Sequence, residues 1–146
     1  MGGYSEPEIR EKTDRVDDAL KAVLCSLEEG YVAGGGTTFL IISEILKAKN
    51  FNRVGVDIMI KAIQAPFFQI YKNAEIEISE ETVEFLKKAE FGTGLDIENG
   101  NIVNFFETGV VDPTKVARVA LESASSIAST FLTSGAIVYN SDSIIK

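Results

Sequence analysis

The sequence predicts a mainly α domain: a helical bundle with one small β-hairpin and a terminal strand. Apolar residues recur at helical spacing along most of the chain, most clearly at Val16, Leu20, Val23, Leu24 and Leu27. Strand-like alternation is confined to Leu95-Asp96-Ile97-Glu98, which runs into Asn99-Gly100, the strongest short hairpin signal. Hydrophobic residues make up 45% and charged residues 25% of 146 positions, a globular composition in the size range of one domain.

The elements follow in order. Ser5-Glu6-Pro7-Glu8 opens a first helix, because Ser5 can cap, Glu8 stands three residues on, and proline is tolerated in a first turn. It is expected to bury the Val16–Leu27 stripe and to stop near Glu29, with Gly30 as the left-handed terminator. The run Gly34-Gly35-Gly36 cannot lie inside an element, and it sets the first helix apart from the rest. An apolar stretch from Thr37 to Lys47 makes a short helix, and Lys49 to Asn52 a loop. Helical spacing resumes from Arg53 to Asn73, where Pro66 must kink or split it. Ser79 caps a further helix ending near Ala89. The hairpin spans Leu95 to Val103. Asp112 as cap and Pro113 at the first helical position start the last helix, which runs to about Ser134. Ala136 to Tyr139 reads as a strand with no partner within the chain.

Composition narrows the chemistry. Asp and Glu number 22 against 14 Lys and Arg, for a net charge of -8, so no nucleic acid or anionic membrane is expected as a partner. The chain has no histidine and a single cysteine, Cys25. That removes the commonest general base and metal ligand, as well as any internal disulfide. No metal-ligating set is expected. The first residues lack the basic and apolar regions of a targeting peptide, and no stretch approaches the ~18 apolar residues of a membrane span.

Three features could carry function, and each has a plainer alternative. The glycine run allows close backbone approach to a phosphate or sugar, or is merely a turn. It lacks the Lys-Ser/Thr of a Walker A loop. Asp18 falls nearly opposite Val16 at ~100° per residue. It either presents a carboxylate to a metal or water, or belongs to a solvated acidic face with Asp14 and Asp17. Asp112 is either a helix cap or an acceptor for ribose hydroxyls.

Taken together, these stretches resemble one family. Ser5 to Lys12 with Arg15-Val16-Asp17-Asp18-Ala19-Leu20, then Glu28-Glu29-Gly30-Tyr31-Val32-Ala33-Gly34-Gly35-Gly36, then Ala65-Pro66 with Asn73-Ala74, and finally Gly109-Val110-Val111-Asp112-Pro113-Thr114-Lys115-Val116 resemble group I, GroEL-like chaperonins. The segments keep the family's order and nearly its spacing. The resemblance implies an equatorial-type helical bundle, with residues 1–30 as the end of an intermediate domain and 31–146 as the C-terminal half of an equatorial domain. It implies ATP and Mg2+ as cofactors. Asp18 would position the hydrolytic water, Gly35 would lie against the sugar-phosphate, Asp112 would accept from the ribose, and Asp96, Ile97 and Glu98 would border the adenine. It also implies a ring of like subunits that the terminal strand helps to join, and a bacterial cytoplasm or an organellar matrix.

The sequence departs from that pattern in several places. Asp96, Ile97 and Glu98 replace an Asn and two Ala at the adenine loop, and a carboxylate cannot donate as an amide can. Glu75 stands where the family has glycine. The phosphate loop Gly-Asp-Gly-Thr-Thr-Thr, the metal-binding Asp, and the apical domain that meets unfolded proteins and the co-chaperonin have no counterpart in this sequence. The expected function is therefore part of an ATP-dependent folding chaperonin subunit, inactive alone, with a non-catalytic oligomerisation remnant as the alternative.

Overall fold

The computed structural model describes the chain except Met1, Tyr4, Asn50, Asn52, Ile137, Tyr139 and residues 140–146. Of the predicted terminal strand, Ile137 and Tyr139 lie outside the described residues, and Ala136 and Val138 are in no strand. Along the chain come α1 (Glu6–Glu29), β1 (Tyr31–Ala33), α2 (Thr37–Ala48), α3 (Val54–Ile63), α4 (Ala65–Asn73), α5 (Glu80–Lys88), β2 (Thr93–Leu95), β3 (Ile102–Asn104), α6 (Phe105–Thr108), β4 (Val111–Pro113) and α7 (Thr114–Thr133). The mainly α expectation holds, with two small antiparallel sheets.

Local signals fix the helix ends. The Ser5 hydroxyl accepts from the Glu8 amide, Pro7 sits in the first turn, and Gly30 closes α1 at φ 77°. Ser79 caps α5 in the same way, accepting from Thr82. Pro66 does split its segment, since α3 ends at Ile63 and α4 begins at Ala65. The hairpin forms too, but its strands are shorter than the alternation suggests. Leu95 pairs with Ile102, and Asp96 to Asn101 form a loop rather than strand plus two-residue turn.

Leu40 of α2, Phe67 and Tyr71 of α4, Val83 and Leu86 of α5 and Leu95 of β2 make the core, with Ile76 and Ile78 packed against it. The Phe67 and Tyr71 rings stand 4.7 Å apart, and the Tyr71 hydroxyl donates to the Leu95 carbonyl at 2.7 Å. Burial pushes that phenol up to about 12. This bond ties α4 to the hairpin.

The α1 stripe corrects an expectation. Val16 is 50% exposed and Leu27 78% exposed, and α1 has no buried residue. The periodicity is genuine, yet nothing among the described residues covers it. Only the C-terminal end of α1 is held, against β4 and the start of α7. There the Thr114 amide donates to the Gly30 carbonyl at 3.1 Å. Lys115 pairs with Glu28, and Arg118 with Glu29 at 2.6 Å and Glu122 at 3.0 Å. Such exposed pairs are individually weak and screened by salt.

At the end of α4, Glu75 adopts φ 58°, the one non-glycine residue with positive φ among those described. The Ile76 amide donates to the Tyr71 carbonyl and the Glu75 amide to that of Lys72, both the bonds of a Schellman turn, whose left-handed position favours glycine. Glu75→Gly is therefore expected to stabilise the fold by about 0.5–1 kcal/mol, left-handed strain relieved less the added chain entropy of glycine. A urea midpoint unchanged or lowered would count against that reading.

Candidate functional site

The site is built on two connections. The first is the Gly34–Gly36 turn between β1 and α2. The ladder of β1 with β4 sets Val32 opposite Asp112 and Ala33 opposite Val111, and the Gly34 amide continues it by donating to the Val110 carbonyl at 2.9 Å. Gly35 and Gly36 then take φ 61° and 72°, turning the chain into α2. The second is the loop from Asp96 to Asn101. Its Asp96 carboxylate accepts from the Glu98 amide at 3.0 Å and from the Asn99 side chain at 2.8 Å, closing a compact turn.

These connections meet around a cavity of about 390 Å3, within the range of small-molecule pockets. Gly35, Asp96, Ile97 and Glu98, all singled out from the sequence, line it together with Tyr71 and Phe105. Sequence reasoning missed those two aromatics. Tyr71 carries a core signal that hides its second role, and Phe105 lies on the single turn α6, too short for any periodicity.

Asp18 does not line the cavity. It is exposed on α1, about 18 Å along the helix axis from Gly30 at ~1.5 Å per residue. Asp112 is also outside the lining, one step along β4 from the Val111 that pairs with Ala33. It does not cap α7, which corrects one of its two sequence readings. The backbone is still extended at Asp112, where it pairs with Val32, and α7 starts at Thr114 with no side-chain cap. Asp112 is exposed, yet partial displacement of water by the surrounding chain raises its pKa above the ordinary value. Among the described residues nothing donates to this carboxyl.

That shift has a sign that can be tested. A carboxyl whose folded pKa exceeds its unfolded one costs stability while ionised, and the cost is relieved as pH falls through the folded pKa. Asp112→Asn is expected to raise the urea midpoint at neutral pH, the gain fading below the ordinary aspartate range. A pH-independent difference would point to packing rather than charge.

The cavity is large enough for a nucleoside, and Gly35 leaves a bare backbone on its wall. Its size and bare backbone fit a sugar and base, while Asp112, an acceptor without a donor among the described residues, stands exposed outside that lining. Among the described residues no group of three or more His, Cys, Asp or Glu could hold a metal ion.

Comparison with known proteins agrees with the motifs. The model of the TCP-1/cpn60 chaperonin family matches residues 1–142. A solved structure described as a group III chaperonin in the open state superposes with a TM-score of 0.80 at 24% identity, over 94% of this chain. The chain spans 30% of the length of that relative. That likeness shows the fold alone. With the family match extending over nearly all of its length, the chain belongs to the TCP-1/cpn60 chaperonin family.

Proposed function

We propose that the chain serves as part of an ATP-driven folding chaperonin subunit, supplying the sugar and base side of a nucleotide site and a hydrolytic carboxylate. The observation that carries this is the meeting of Gly35 with Asp96, Ile97 and Glu98 around one cavity in a member of this family. In this reading residues 1–30 end an intermediate domain and 31–146 form the C-terminal half of an equatorial domain. ATP, when bound, supplies the phosphoryl bond whose cleavage drives the folding cycle. Gly35 lets the sugar approach the backbone, and Asp112, exposed on β4, accepts from its hydroxyls through charge-assisted bonds. Asp18 reaches the site by movement of α1 as a whole and orients water there. Since α1 is held at its C-terminal end, by the Gly30 junction, and not by a buried stripe, it has few contacts to break in such a movement.

Phosphate release tests this. The chain alone is expected to turn over no ATP. Mixed with a polypeptide carrying the Gly-Asp-Gly-Thr-Thr-Thr loop and its metal-binding Asp, it is expected to gain turnover that Asp18→Ala abolishes. An assembled pair without turnover sinks the proposal. A second reading, an oligomerisation remnant without catalysis, is favoured by the exposed apolar faces of α1 and α7, where Leu20, Leu24, Ile127 and Phe131 are each more than half exposed. It predicts association by light scattering with no nucleotide affinity.

A further inference from the structure

The polar groups around the cavity divide by what they can still offer a ligand. Two side-chain hydroxyls belong to the lining, and each has committed its hydrogen within the fold. Tyr71 donates to the Leu95 carbonyl at 2.7 Å and Thr108 to the Asn104 carbonyl at 3.2 Å. Toward a ligand both can therefore only accept. The Glu98 carboxylate, on the exposed rim, also only accepts. The Gly35 and Ile97 amides, by contrast, are donors with no hydrogen-bond partner among the described residues. The Thr37 hydroxyl has none either, but it is buried and is not part of the lining. Tyr71 is the group of these least able to adapt. It is 1% exposed, with its ring packed against Phe67. Its hydroxyl end is the part that stands at the cavity, because it meets the carbonyl of Leu95, another lining residue. Burial, and after it the charge of Asp96, pushes the phenol up to about 12, so the hydrogen is kept at neutral pH. Turning that hydrogen to a ligand would take this donor from the Leu95 carbonyl, whose residue is itself buried.

We propose that Tyr71 is a specificity-determining residue of the base subsite: its phenol oxygen accepts from the 6-amino group of adenine and rejects a 6-oxo group. Adenine presents N6–H beside the N1 lone pair, a donor for the Tyr71 oxygen and an acceptor for a main-chain amide such as that of Ile97. Hypoxanthine presents the reverse, O6 beside N1–H. Its carbonyl then meets an oxygen with no hydrogen to give, and its N–H meets another N–H. Groups left unpaired in this way cost affinity by roughly ten- to a hundredfold. Had the Tyr71 hydroxyl been free to turn, it could have served either base, so the bond to Leu95 is what makes it selective.

The inference deepens the nucleotide reading above and rests on it, and the experiment separates the two. The 15N-labelled chain is titrated with AMP, IMP and purine riboside 5′-monophosphate, and amide shifts are followed at Gly35 and Ile97. Sugar and phosphate stay constant while position 6 carries an amine, a carbonyl or a hydrogen. AMP is expected to bind about tenfold or more tightly than IMP, with the purine riboside between them. Tyr71→Phe keeps the ring and removes the acceptor, and is expected to bring AMP and IMP to within about threefold of each other. A merely structural loss would weaken both alike and keep their ratio, which would overturn the role of Tyr71. A ratio kept in Tyr71→Phe but lost in Glu98→Ala gives the selection to the rim, with the same consequence. If circular dichroism shows Tyr71→Phe unfolded, the purine riboside decides: affinity equal to that of AMP means that the 6-amino group is not read, and overturns the proposal. AMP binding no tighter than IMP to the unaltered chain overturns it too, and leaves the nucleotide site standing. No shift at Gly35 or Ile97 with any of the three at millimolar concentration overturns the site itself.

Discussion

Gly36→Ala is expected to destabilise the domain by about 2–5 kcal/mol, whereas Gly109→Ala, at a similar backbone angle, is expected to cost only about 1–2 kcal/mol. Gly36 sits at φ 72° where β1 turns into α2. A Cβ there would stand 2.7 Å from the Phe67 Cα and 2.8 Å from the Phe67 nitrogen. Those are backbone atoms within α4, so no side-chain rotation relieves the overlap. Forcing an L-residue into the left-handed region costs roughly 1–2 kcal/mol. Overpacking a fitted core costs about 1–3 kcal/mol more. Together these take a large share of the ~5–15 kcal/mol that stabilises an ordinary domain. Gly109 has φ 78° but nothing within 4 Å of an added Cβ, so only the backbone cost of roughly 1–2 kcal/mol applies. Urea denaturation followed by circular dichroism compares the two. Equal losses would mean that the approach of α2 to α4 is not what demands glycine.

The contrast bears on what a sequence discloses. That glycine is needed at 34–36 is legible, because three in a row fit no regular element. Which of them the packing cannot spare is not, since the reason is Phe67, some thirty positions away. The bounds of α1, α4 and α5 were legible for the opposite reason: Ser5, Gly30, Pro66 and Ser79 act on the backbone within a few residues. The Val16–Leu27 stripe shows the limit of periodicity, which reports a face that could be buried but not whether anything covers it. The β1–β4 ladder is illegible because each strand has three residues and the pairing joins Tyr31 to Pro113. That same ladder overrode the cap signal of Asp112-Pro113, holding Asp112 extended against Val32 where a local reading puts it at a helix start. For the candidate site, Gly35 and the 96–98 loop were found through the resemblance. The cavity's aromatic lining required the fold.

Phe105 is where that lining matters most, and Phe105→Ala is expected to cost about 3–5 kcal/mol. The residue is 2% exposed. Its amide donates to the Gly92 carbonyl at 2.8 Å and its own carbonyl accepts from the Val110 amide at 2.9 Å, so its backbone joins the hairpin to the segment entering β4. Its ring lies between two glycines from distant segments. A Cβ on Gly94 would fall 2.1 Å from ring atom Cε2, and one on Gly35 would fall 3.1 Å from the same atom. The ring thus occupies the space that both absent side chains leave, and it forms a wall of the cavity between the glycine turn and the hairpin. Phe106, 36% exposed beside Tyr31 and Phe91, provides a control whose truncation is expected to cost less. The sharper test is a double variant. Gly94→Ala alone must displace the ring and is expected to cost roughly 1–3 kcal/mol. With Phe105→Ala the methyl at 94 enters vacated space, so the double variant should lose less than the sum of the single losses, a coupling of about 0.5–3 kcal/mol. Strict additivity in urea midpoints would show that Gly94 is required for some reason other than the ring, and that the cavity wall does not depend on this contact.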